Sequence, residues 1–291
     1  MNTILHLFYF ALYSGVLCLG YKILNIVMPI LNNNYNNINP PHKKLYVCSN
    51  ILKTSFFVLY TTDALYLLYS ICILGTWDVE RVKYLGLLYT GLDTVSLFMV
   101  PKMQFNTKIH HFSVIFLHSY CLYYNYEVGE MLKTIIVYAI WSANAYCVNL
   151  YLGLRVFISE KNRYLHYLCC AALFTYVGCC IMNWSYQTYA IGGMIHRGVF
   201  PIGGYIYLLA LLFIIYDDIV LMKYLYRRIT GYYFNRSLSA KNLQKMRNDS
   251  INKNVVNLNR NNYSMLENKG VTQRSKYNTT VYDFLNTPRR M

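Results

Sequence analysis

The chain has 291 residues, of which 56% are hydrophobic and only 13% charged. An ordinary soluble domain carries about a quarter charged residues, so the composition excludes a water-soluble globular protein and points to the bilayer. The formal net charge is +15, but residues 223–291 hold 14 Lys/Arg against 3 Asp/Glu. The basicity belongs mainly to a tail, which suits membrane orientation and anionic lipid and argues against a nucleic-acid partner.

A membrane span needs about 20 mostly apolar residues. Seven runs fit, at roughly 3–28, 51–74, 84–100, 109–124, 133–158, 164–182 and 203–223. The first lacks the basic start and small-residue cleavage pattern of a signal peptide, so it reads as a retained helix. An Asn-rich loop follows it, giving a first segment over 1–45. A transmembrane domain is expected over 46–230, and a polar, basic, disordered tail over 231–291. Lys43, Lys44, Lys102, Lys108, Lys161 and Arg163 fall in alternate connectors. The positive-inside rule then places the N-terminus outside and the tail in the cytosol. Asn183-Trp184-Ser185 reads as a glycosylation sequon at the outer end of the sixth run.

Polar groups inside such runs are the candidates for function, because an ionisable side chain in hydrocarbon costs about 2.5–3.5 kcal/mol on insertion scales. The third run carries Tyr89 and Asp93, the fourth His110, His111 and His118, and the fifth Asn144, Asn149 and Arg155. Asp63 lies in the second run and Asp217-Asp218 in the last. At 1.5 Å per residue, Asp93 and His118 are expected to meet at one depth, with His111 nearer the cytosolic face and His110 turned away by about 100°. The set is expected to line a polar cavity open to the cytosol. Nine cysteines are present, eight of them in apolar runs. No ligating histidine follows the pairs Cys169-Cys170 and Cys179-Cys180 at zinc-site spacing, so neither a metal nor a disulfide framework is expected.

Tyr89-x3-Asp93, His110-His111, Ser119-Tyr120, Asn125-Tyr126 and Gly129 together resemble the TLC-domain family, which includes the ceramide synthases. Asn149-Leu150 followed by Arg155 is similar to the Asn-Leu stretch of TLC proteins that are not ceramide synthases. The similarity spans about residues 46–230. It implies a multi-pass lipid protein of the endoplasmic reticulum or a related endomembrane, with spans around a lipid-accessible cavity. Ceramide synthases carry a His-Asp and a further Asp in the helix after the double histidine. Here the stretch Lys133 to Asn144 has neither residue type, so the resemblance is to the wider family.

The resulting expectation is an all-α integral membrane protein of lipid metabolism or homeostasis that binds a lipid or acyl chain in an intramembrane cavity, with acyl transfer from acyl-CoA as its enzymatic form. His111 would be the base, with His110 and Asp93 orienting it. His118, Tyr89, Asn149 and Arg155 would bind substrate, with Arg155, Lys102 and Lys108 holding the phosphates of acyl-CoA. No bound cofactor is expected. A lipid-binding or lipid-sensing protein without chemistry is the alternative. A seven-helix receptor or transporter is more distant, since no Asp-Arg-Tyr or Asn-Pro-x-x-Tyr motif occurs.

Overall fold

The computed structural model describes residues 3–127 and 129–233 and is all-helical. The chain divides into two units, 1–232 and 233–291. The predicted tail lies outside the described residues from 234 onward, whereas its first three positions, 231–233, are the last turn of a helix. Eight α-helices make up the first unit. They are α1 (Thr3–Leu31), α2 (His42–Tyr69, continued by a π-turn over Ser70–Leu74), α3 (Val79–Met99), α4 (Phe105–Tyr123), α5 (Glu130–Asn144), α6 (Tyr146–Leu154), α7 (Arg163–His196) and α8 (Ile202–Tyr233).

Four of these, α1, α2 with its π-turn, α7 and α8, are long and apolar enough to cross a membrane; α5 and α6 supply a fifth span if the bent pair is counted as one. The molecule is thus a multi-pass helical membrane protein. Its outer surface bears large exposed apolar side chains such as Ile30, Leu59, Phe174 and Ile202, a face that only lipid tolerates at this density. α3 and α4 have the length of spans without the apolar composition. For α3 the reason is its position: it packs against α1, α2, α4 and α5 and is buried over nearly its whole length. A helix surrounded by protein can carry Lys83, Thr90, Asp93 and Ser96 inside the bundle, because protein groups rather than lipid receive them.

Local chemistry sets the helix ends. Asp78 caps α3 by accepting from the Arg81 N–H at 3.2 Å, and Asn162 caps α7 through Tyr164 and Leu165. Gly75 ends α2 with φ +66°, a conformation open to glycine at no steric cost. On α1 the inward residues His6, Phe10, Tyr13, Leu17, Tyr21, Leu24 and Met28 follow steps of three and four, one stripe of a helix whose other faces meet lipid.

Three expected boundaries move. α2 starts at His42 rather than at residue 51. The run 133–158 is two helices meeting at 44°, with the Asn144 amide donating back to the Ile140 carbonyl at 2.9 Å just before the bend. α7 does not stop at 182. Asn183 and Gln187, one turn apart, both face inward, where Gln187 donates to the Thr134 carbonyl at 2.9 Å and accepts from the Tyr207 hydroxyl at 2.7 Å. The polar residues that suggested a helix end are the inner face of a longer helix.

The sequon reading is corrected by the same fact. Asn183 is 3% exposed in the middle of α7, out of reach of a glycosyltransferase. Wild type and Asn183→Gln expressed in glycosylating cells should migrate identically on a gel; a mobility difference that disappears on glycosidase treatment would place Asn183 at a surface.

Candidate functional site

Two polar clusters occupy opposite ends of the bundle. One end gathers the connectors near Tyr35, Pro101 and Phe157, where Tyr35 packs edge-on to Phe157 at 6.1 Å. The other gathers Trp77, Tyr126, Glu130 and Arg197, with Trp77 donating to the Tyr126 carbonyl at 2.9 Å and Arg197 paired with Glu130.

The first cluster centres on Asp93. Its Oδ1 receives Lys53 Nζ of α2 at 2.6 Å and lies 2.9 Å from His111 Nδ1 of α4. The histidine contact is close but poorly aligned for a hydrogen bond, so its value is chiefly electrostatic. All three side chains are nearly closed off from the surface, at 12%, 6% and 5% exposure for Lys53, Asp93 and His111. The register follows from the helix ends. Asp93 stands six residues before the end of α3 and His111 six residues after the start of α4, so both lie about 9 Å inside the same end.

The neighbouring histidine turns to another helix. His110 Nδ1 lies 3.5 Å from Asp217 Oδ2 of α8. Asp218, next in sequence, points inward instead and accepts from the hydroxyls of Tyr138 (α5) and Tyr176 (α7), each at 2.7 Å. Adjacent residues on α4 and on α8 thus tie five helices, α3, α4, α5, α7 and α8, to one polar layer, with α2 joined through Lys53.

The second cluster belongs to His118. Its Nδ1 is hydrogen-bonded to the Tyr126 hydroxyl at 2.5 Å, and its Nε2 lies 3.3 Å from Nε2 of His6 on α1. Tyr126 reaches it because the chain reverses at the end of α4. Asn125 and Tyr126 have φ +50° and +57°, and the Tyr126 N–H bonds to the Cys121 carbonyl at 2.9 Å. A non-glycine residue in the left-handed region costs about 1–3 kcal/mol, offset here by complete burial of the ring and two hydrogen bonds. Gly86 supplies the space: a Cβ there would stand 2.3 Å from the Tyr126 oxygen.

The expected pairing of Asp93 with His118 is therefore wrong. Helix α4 begins at Phe105, three residues before Lys108, and α3 already ends at Met99, so His111 and not His118 comes level with Asp93. His118 stands seven residues, or about 10 Å, further along α4.

Between the clusters lies a partly open cleft, about 450 Å³ when the open space at its mouth is included. Its walls come from α3, α4, α5 and α8 and are mostly apolar, as with Val114, Leu117 and Ile136, while Tyr89, Thr90, His118 and Tyr126 add hydroxyls and an imidazole. Tyr89 also stacks on Phe57 at 5.6 Å.

Other expected site residues are elsewhere. Arg155, at the end of α6, donates to the hydroxyls of Tyr224 and Tyr46 and lies over the Tyr224 ring. It reaches none of the histidines. Asn149 on α6 joins none of these contacts. Asp63 is exposed on α2, because the inward face of that helix runs through Asn50, Thr54, Phe57, Ala64 and Leu67. Lys53, Tyr126 and His6 were not foreseen. For Lys53 the signal was available: a lysine within a membrane run implies a buried acid. Among the described residues no three metal-ligating side chains converge.

No family model, curated protein or solved structure matches the chain.

The pairings make separate stability predictions. In detergent melting experiments Asp93→Asn and Lys53→Met should be coupled by about 0.5–3 kcal/mol, since each leaves the other buried and unpaired. Asp93→Asn and His118→Leu should add within about 0.5 kcal/mol; strong coupling between them would restore the single-cluster arrangement. Gly86→Ala should lower the melting temperature by displacing Tyr126, and Tyr126→Phe in the same chain should relieve part of that loss, because the hydroxyl makes the 2.3 Å clash whereas the nearest ring carbons, at 3.1 and 3.2 Å, need shift only slightly.

Proposed function

We propose that this is a lipid-metabolic membrane protein of the TLC type that uses the Asp93–His111 pair to transfer an acyl group from acyl-CoA to a lipid acceptor. The observation that carries the reading is the buried Asp93–His111 contact a turn from an apolar cleft. An ionisable pair in a membrane interior, beside space for an alkyl chain, is a functional-site arrangement by default.

The chemistry follows from the ring. With Nδ1 directed at Asp93, Nε2 of His111 is the nitrogen left to act as base. It removes the proton of the acceptor as the acceptor oxygen or nitrogen attacks the thioester carbon. The carbon–sulfur bond breaks on collapse, and His111 returns the proton to the leaving thiolate. Asp93 stabilises the imidazolium in between, as a carboxylate does for a histidine base. Lys53, 2.6 Å from the carboxylate, balances its charge and holds it in place. His110, facing Asp217, is a second orienting group on the same turn.

Donor access is supported by the basic groups at the Pro101 end. Arg155 has only neutral phenols as partners in its hydrogen bonds, and Lys102 and Lys108 flank the start of α4. Phosphates of acyl-CoA fit such groups, and this end is cytosolic if the alternate basic connectors set the topology. Seven passages, an endomembrane location and membrane lipids as partners complete the reading.

A non-catalytic lipid-binding role is favoured by one observation: the helix after the double histidine, α5, has no His or Asp. Membranes expressing the protein, supplied with labelled acyl-CoA, separate the two. Wild type should form an acylated lipid and His111→Ala should reduce its rate by at least about 10²-fold, the usual scale for a general base. Equal lipid profiles for wild type, His111→Ala and empty membranes, with lipid still co-purifying, would leave the binding role.

A further inference from the structure

The two oxygens of Asp93 are not equivalent. Oδ1 takes both Lys53 and His111, whereas Oδ2 is buried and receives no hydrogen bond among the described residues. A carboxylate oxygen removed from water and left without a donor is costly. Such an atom is satisfied by a ligand that brings an O–H or N–H group.

The position of the oxygen ties that ligand to the cleft. Thr90 and Tyr89, three and four residues before Asp93 on α3, line it, as does Val114, three residues after His111 on α4. Residues three or four apart lie on one helix face. An alkyl chain lodged between Leu117, Ile135 and Ile136 therefore ends its polar head within a turn of Asp93 and His111.

Charge decides which head is taken. Lys53 already neutralises Asp93, and among the described residues no further carboxylate contacts either group, the acids of α8 being engaged by His110 and by Tyr138 and Tyr176. A protonated amine, the form a simple alkylamine takes near neutral pH, would add an uncompensated positive charge to a buried site, which is strongly unfavourable. An ether would bring no donor to Oδ2. We propose that the lipid bound here is a neutral long-chain alcohol whose hydroxyl donates to Asp93 Oδ2. Resting on the acyl-transfer reading above, the inference makes the acceptor an alcohol and the product an ester: the hydroxyl leaves Asp93 Oδ2 and turns its proton to His111 Nε2 as its oxygen bonds to the acyl carbon, the carbon–sulfur bond breaks, and His111 gives that proton to the departing thiolate.

The test uses the purified full-length chain in nanodiscs with tritiated hexadecanol, displaced by unlabelled hexadecanol, hexadecylamine or hexadecyl methyl ether. Hexadecanol should displace at a mole fraction at least about tenfold lower than either competitor. Equal displacement by the amine or the ether, or no saturable hexadecanol binding, overturns the inference. In Lys53→Met the amine should gain at least about tenfold on the alcohol, because its ammonium replaces the lost lysine charge; an unchanged ratio removes the ligand from Asp93. Should Lys53→Met fail to fold, the wild-type comparison alone decides. A transfer assay with acyl-CoA separates the two proposals. Alcohol-selective binding without transfer retains this inference and removes the enzyme reading, while transfer to hexadecylamine alone does the reverse.

Discussion

One carboxylate oxygen holds the centre of this protein together. Asp93 Oδ1 is contacted by a lysine from α2 and a histidine from α4, on a helix closed in by four others. Removing three such groups from water costs several kcal/mol per ion, and only mutual attraction at short distance offsets it. The cost constrains the bundle: α2, α3 and α4 cannot slide past one another by a turn without stranding a charge. Buried ion pairs are poor sources of net stability but good sources of register. Here register is also what puts Asp93 and His111 at one depth.

Around that point the polar contacts are arranged in pairs of adjacent residues that serve different neighbours. His110 faces α8 while His111 faces α3. Asp217 faces α4 while Asp218 faces α5 and α7. A helix turns 100° per residue, so consecutive polar side chains address two partners, and two such pairs suffice to link most of the bundle. The apolar clusters fill the space between these contacts but do not select which faces meet.

Much of this was readable from the sequence. The membrane class followed from composition, and Asp93, His110 and His111 stood out because they interrupt apolar runs. Partnership was harder. Errors at two helix ends, α3 closing at Met99 and α4 opening at Phe105, exchanged His111 for His118 as the partner of Asp93, since both histidines lie on one face of the same helix. His6 was unreadable as a partner because nothing local says that α1 meets α4. Tyr126 depends on a left-handed turn that few residues would adopt, and its hydroxyl finds room only because residue 86 is glycine. Asn183 misled in the other direction: its polarity suggested a helix end, whereas a long-range bond network made it an interior residue. Tertiary contacts, absent from any window of sequence, account for each of these differences.

The contact between His6 and His118 bears on the order of biosynthesis. α1 leaves the ribosome first, more than a hundred residues ahead of α4 and the reversal at Asn125-Tyr126. Until those are made, His6 has neither His118 nor the cover of Tyr126. Its place near the start of α1 lets the imidazole wait in the headgroup region, where water serves it at little cost. The first helix can therefore insert alone and dock late, its polar side chain being drawn inward only when the fourth helix arrives to receive it.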